Sequence, residues 1–173
     1  WAAFTETVSG LQKYEYAIGT TSGGTDVLTW TSNSTTASVT KTGLTLTSGS
    51  TYYISVRGTD NVGNVSTTIT SNGVTVDTAA PSVGSVTDSS STDLDWTRST
   101  STLTGVWTGF SDALSGIEKY EYAIGTTSGG TYYISVRSTD IAGNVSTTIT
   151  SNGVTVDRAA PSAGSVTDSS STD

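Results

Sequence analysis

Two stretches, TDNVGN at Thr59–Asn64 and TDIAGN at Thr139–Asn144, bring together residue types that bind hard cations. Asp60, Asn61 and Asn64 in the first, with Asp140 and Asn144 in the second, offer oxygen atoms of the kind calcium takes. A hairpin turn needs the same residues, with Gly63 and Asn64 taking positive φ, and that is the expected role. Asp77 and Asp157, which stand just before two Ala-Ala-Pro stretches, are placed to clamp an interdomain calcium. One Asp per junction is too few for tight binding, so no metal site is expected.

Other chemistry is scarcer. The chain has no Cys, Met or His, which removes thiolate and imidazole metal sites and any triad that pairs Ser or Cys with His. Paired acids for glycoside hydrolysis need a cleft that raises one pKa, and the acids here fall in turns and on strand exteriors. The SGG runs precede no helix and cannot cradle phosphate. No catalytic residue and no cofactor are therefore expected. Trp30, Tyr53 and Tyr133 face outward in a strand reading, and sugars stack on such rings, but no planar row of aromatics is evident. Sequons at Asn33, Asn64 and Asn144 would be glycosylated only in a host with that machinery.

The elements that position these residues follow from internal repetition. WAAFTETVSGLQKYEYAIGTTSGGT from Trp1 matches WTGFSDALSGIEKYEYAIGTTSGGT from Trp107, and the stretch from Tyr52 to Asp93 matches the one from Tyr132 to Asp173. The second copy lacks the segment that separates Thr25 from Tyr52 in the first. Tyr14, Tyr16 and Ile18 alternate with Glu15 and Ala17, and Tyr52, Ile54 and Val56 alternate with Tyr53, Ser55 and Arg57. A period of two marks strands with one buried face, and the Gly, Ser, Asn and Asp clusters between them mark turns. No stretch reads as a helix. Of 173 residues, 33% are hydrophobic and 13% charged, and 15 acidic against 7 basic residues leave a net charge of −8. That charge argues against nucleic acid or an anionic membrane as partner. No apolar run is long enough to insert in a bilayer as a helix.

The residues resemble fibronectin type III domains, in the tandem form found in bacterial extracellular surface proteins. The resemblance rests on Trp107 in GVWTGFSD as a strand B core Trp, IEKYEYAIG as strand C, LTSGSTYYISVRGTDNVGN as the approach to strand F, and VTVDTAAPSVGSVTD as strand G, linker and next strand A. The spacing from Leu46 to Tyr52 looks like the family's tyrosine corner, with Ser48 where Pro is usual. The resemblance implies an all-β fold of antiparallel β-sandwich repeats. Residues 1–78 would form a domain lacking strand A and part of strand B, residues 79–157 a shortened domain lacking strands C′ and E, and residues 158–173 strand A of a following repeat. Starting and ending inside a repeat, the chain looks like a window cut from a longer array, the alternative being that a neighbouring chain donates the missing strand.

This reading sets several expectations. Pro81 makes a short extended linker, so the domains should lie end to end. Trp107, Tyr120, Tyr122, Ile124, Tyr132, Ile134 and Val136 should face a core, with Glu121 and Arg137 in solvent. Strands C and F of the short copy should form a hairpin through Gly125–Thr131, pairing Ile124 with Tyr132, Tyr122 with Ile134 and Tyr120 with Val136. Tyr16 should pair with Ile54 in the first copy. The open side of the short copy should be covered by a neighbouring domain or another chain. In function, the resemblance implies a structural module of an extracellular stalk, adhesin or fibre, with neighbouring repeats or copies of itself as partners. The alternative is an accessory carbohydrate-binding module of a secreted polysaccharide-degrading enzyme.

Overall fold

The computed structural model describes residues 1–90, 92–126 and 130–167. Among them the chain is all-β, with antiparallel sheets of the kind found in β-sandwiches and no helix. It divides into two compact units, Trp1–Ala79 and Ala80–Asp173.

In the first unit the KYEYAIG alternation becomes β1 (Leu11–Gly19), which lies between β2 (Leu28–Ser32) and β3 (Thr51–Asp60). Short strands β4 (Ile69–Thr70) and β5 (Val74–Thr75) pair with β3. Aromatic and β-branched residues suit the pleated surface, and their alternation sends one set inward. Tyr14, Tyr16 and Val56 make the core, packed by Trp1, Phe4, Leu11, Leu28, Ala37 and Val39. The Tyr14 hydroxyl accepts the Phe4 N–H at 2.9 Å, and its ring meets those of Trp1 and Phe4 edge-on. The buried phenol thus keeps a partner for its one polar atom.

The second unit repeats this plan with different cover. Strands β6 (Ser85–Thr87) and β8 (Val106–Thr108) pair together, with Val86 opposite Trp107. The strand β9 (Ile117–Thr126) pairs antiparallel with β10 (Thr131–Asp140). On the other side of β10 lie β11 (Ile149–Thr150) and β12 (Val154–Val156), and β12 runs parallel to β7 (Trp96–Thr97). The core is Val86, Phe110, Ile134 and Val136, with Leu103, Trp107 and Ile149 against it.

The direct β9–β10 hairpin is present, but its register is two residues from the expected one. Ile124 pairs with Ile134, Tyr122 with Val136 and Tyr120 with Ser138. In the first unit Tyr16 pairs with Val56, and Ile18 with Ile54. A shift of two keeps every side chain on its expected face. The strands continue to Thr126 opposite Tyr132, so Gly125 and Thr126 belong to the ladder and not to the loop; residues 127–129 of the expected loop lie outside the described residues. Both copies share this register, and each carries a bulge at the same place, between Leu11 and Lys13 and between Thr139 and Asp140.

Burial corrects a second expectation. Ile134 and Val136 are buried, Trp107 and Tyr132 half-buried, and Glu121 and Arg137 exposed. Tyr120, Tyr122 and Ile124, however, are 41%, 66% and 51% exposed, whereas their repeats Tyr14, Tyr16 and Ile18 are 1%, 5% and 5% exposed. The face is right and its cover is missing, because the segment that packs over β1 has no counterpart in the second unit. The first unit shows the converse: Ile54 and Val74 are exposed while their repeats Ile134 and Val154 are buried. In the second unit Val86 of β6 and Trp107 of β8 supply that cover for Ile134. Ser55, expected outward, is buried, with its hydroxyl 3.0 Å from that of Thr70. Residues 158–167 form no strand, and residues 168–173 lie outside the described residues.

Candidate functional site

The acids that sequence singles out are all engaged in turns. Asp60 accepts the Val62 and Asn64 N–H groups on Oδ1 at 3.0 and 2.8 Å, and the Asn64 amide on Oδ2 at 2.8 Å. Asp140 repeats the pattern, taking the Asn144 N–H at 2.7 Å and its side-chain amide at 2.9 Å. Gly63 and Gly143 sit at φ 92° and 94°, which a residue with a Cβ resists. Asn64, expected at positive φ, is not; its side chain holds Asp60 instead. Asn61 points elsewhere, donating to the Ser9 carbonyl at 2.7 Å. The turns therefore bind their own backbones with the oxygens that a cation would require.

Hydrogen bonding sets the electrostatics of these turns. The Asn64 amide, against the opposing effect of burial, holds the Asp60 carboxyl below its ordinary value. Ionised Asp60 is thus favoured in the folded state. Its contribution is complete above the unfolded pKa of about 3.9 and is lost as pH falls through the lower folded value. Acid titration of the first unit should show this loss below about pH 4, and Asp60→Asn should flatten it when unfolding is followed by amide exchange. Asp140 is fully buried, so Asp140→Ala removes the acceptor of two Asn144 hydrogen bonds and should cost the second unit about 1–3 kcal/mol in urea unfolding.

The junction acids behave alike. Asp77 accepts the Ala79 N–H at 2.9 Å and Asp157 the Ala159 N–H at 2.8 Å, each capping the chain two residues on. In the second unit Asp112 and Asp140 have carboxylate oxygens within 4.8 Å of each other. Sequence reading passed over Asp112, which accepts the N–H groups of Leu114, Ser115 and Gly116. The Gly116 bond leads the effects that hold its carboxyl below the ordinary value. Glu6 does the same work for Val8 and Ser9, so the repeated acid before VSG and LSG was the available signal.

Aromatic and sequon residues are also occupied. The Tyr53 and Tyr133 rings lie over Gly73 and Gly153, where an added Cβ would fall 2.8 and 2.6 Å from a ring carbon. Trp30 carries the Arg57 guanidinium 4.2 Å from its ring centroid, and Arg57 also bonds Glu15 at 3.1 Å. The Asn33 amide donates to the carbonyls of Thr36 and Ser38, as those of Asn64 and Asn144 do to Asp60 and Asp140. A glycan on any of the three would take an amide from its turn.

What the second unit offers instead is a surface. Tyr120 and Tyr122 stand on the exposed face of β9 with Trp107 beside them, the Trp107 and Tyr122 rings stacked at 6.1 Å. Beside this face a cavity of about 240 Å³ is lined by Leu103, Ile124, Tyr132 and Val156. Among the described residues no helix is long and apolar enough to cross a membrane. No family model, curated protein or solved structure matches the chain.

Proposed function

We propose that the chain is a structural module: fibronectin type III-like repeats that build length and stiffness in an extracellular stalk, adhesin or fibre, without catalysis. The observation that supports this most is the fate of the polar residues. In both copies the turn acids and amides are used up in holding the turns, which is what a spacer requires and a catalyst does not. The repeats would be linked end to end in a longer array, with copies of the same repeat as neighbours.

A second reading, a carbohydrate-binding module of a polysaccharide-degrading enzyme, is favoured by the exposed Tyr120, Tyr122 and Trp107 rings. Titration calorimetry with calcium and with soluble β-glucans, chitin oligomers and xylan separates the two. The stalk reading expects no heat from any of them and a melting temperature unchanged by millimolar calcium. Saturable sugar binding that Tyr122→Ala abolishes would replace it with the second reading, and a calcium-dependent rise in melting temperature would show that the turns are metal sites.

A further inference from the structure

The two units contain the same twelve residues, Tyr14–Thr25 and Tyr120–Thr131, in two different surroundings. In the first unit the outer edge of this strand is satisfied. Ser34 accepts the Tyr14 N–H at 2.6 Å, the Asn33 N–H reaches the Tyr14 carbonyl at 2.9 Å, and the Val27 N–H reaches the Ile18 carbonyl at 3.1 Å. The same segment then covers the face, with Leu28, Ala37 and Val39 on Tyr14, Tyr16 and Val56. Its Trp30 meets Arg57, and its Thr47 N–H closes on the Tyr52 hydroxyl at 2.9 Å, as the spacing from Leu46 to Tyr52 suggests.

The second unit keeps the edge and part of the face for such a segment, while Val136, the repeat of Val56, is already buried. Among the described residues β9 pairs with β10 alone, so the edge that carries the Tyr120 N–H and the Tyr120 and Ile124 carbonyls has no strand beside it. Tyr120, Tyr122 and Ile124 are about half exposed on the face, with the Trp107 ring against the two tyrosines. Arg137, the repeat of Arg57, is bonded to Glu121 at 3.0 Å as Arg57 is to Glu15, but in an exposed pair, and among the described residues has no Trp over it. Tyr132, the repeat of Tyr52, has no hydrogen bond to its hydroxyl among the described residues, and the 240 Å³ cavity opens beside its ring.

We infer that the outer edge and face of β9 form an acceptor site for an extended segment of another polypeptide, one with the chemistry of residues 26–50 of this chain. That chemistry is a nearly uncharged strand antiparallel to β9, an aromatic residue placed over Arg137, and a return that lays aliphatic residues on the tyrosines. A second β9 would not serve. Edge-to-edge pairing would lengthen the sheet and leave both aromatic faces bare, because Tyr120, Tyr122 and Ile124 stand perpendicular to the edge. This chain's own residues 26–50 are held on β1 by tethering, which gives them an effective concentration that a free segment does not match. The inference does not depend on the stalk reading, since an acceptor edge would bind in any setting.

The test uses the full chain and a synthetic peptide of residues 26–50, with a scrambled peptide as control. Saturable binding of one peptide per chain is expected, together with slowed exchange of the Tyr120 amide. Tyr122→Asp, which places a charge on the covered face, should weaken binding by at least about tenfold. Because Tyr122 is exposed, that variant should keep the β9–β10 amide protection of the parent, which is checked before peptide is added. Trp30→Ala in the peptide should weaken binding about two- to thirtyfold. No saturable binding, binding indifferent to Tyr122→Asp, or self-association through β9 that the peptide does not dissolve would each overturn the inference.

Discussion

Replacing Tyr14 by alanine is expected to destabilise the first unit by about 3–5 kcal/mol, while Tyr120→Ala costs the second only about 1–2 kcal/mol. The two tyrosines occupy the same position of the same repeat, and both touch a Phe and a Trp, Phe4 and Trp1 in one case and Phe110 and Trp107 in the other. They differ in what lies above them. Tyr14 is covered by the segment that follows β1 and bonds the Phe4 N–H, so its removal opens a cavity and strands a donor. Tyr120 is already partly in water, so its removal returns little new surface to solvent. Urea unfolding, read through amide protection of β1–β3 and β9–β10 separately, measures both. Equal losses would mean that the cover contributes nothing.

The second expectation runs in the opposite direction. Inserting residues 26–51 between Thr131 and Tyr132 rebuilds in the second unit the sequence context of the first. Tyr120, Tyr122 and Ile124 would regain their cover, and recovering about half of each side chain's full burial amounts to roughly 3 kcal/mol. The ordering of the inserted residues is offset within the segment by its own burial and hydrogen bonds, as it is in the first unit. The readouts are a higher urea midpoint for the second unit and loss of peptide binding at β9. An inserted segment that stays unprotected in hydrogen exchange would show that the first unit's cover depends on something beyond the shared strand.

The strands were legible in sequence because their alternation is strict and occurs twice. The hairpin was legible too, since deleting the segment between two antiparallel neighbours leaves a topology that can still close. The register was not. Loop length suggests one pairing, but the same pairing of Ile18 with Ile54 and Ile124 with Ile134 arises across two unlike connections. It is therefore fixed by the strands and their shared bulge, and a bulge leaves no mark in an alternation pattern. The bare face of β9 was hidden for a related reason: periodicity tells which face a residue takes and says nothing of what lies over it. The turns were legible because Asp and Asn beside Gly favour them, although Asn64 does not take the positive φ expected of it. Asp112 was missed because a single acid before a loop is common, and only its match to Glu6 marks it.

One consequence of the β9–β10 hairpin concerns the order of events in folding. The first unit must close residues 20–50 to bring β1 to β3, whereas residues 127–130 suffice for β9 and β10. That is about three doublings of loop length, or ~1.8 kcal/mol less entropy to overcome in closing the short copy. Its strand pair rests on contacts near in sequence, which form early. The copy that ends with the barer face is thus expected to form its central pair first, presenting an ordered edge while the first unit is still gathering its own.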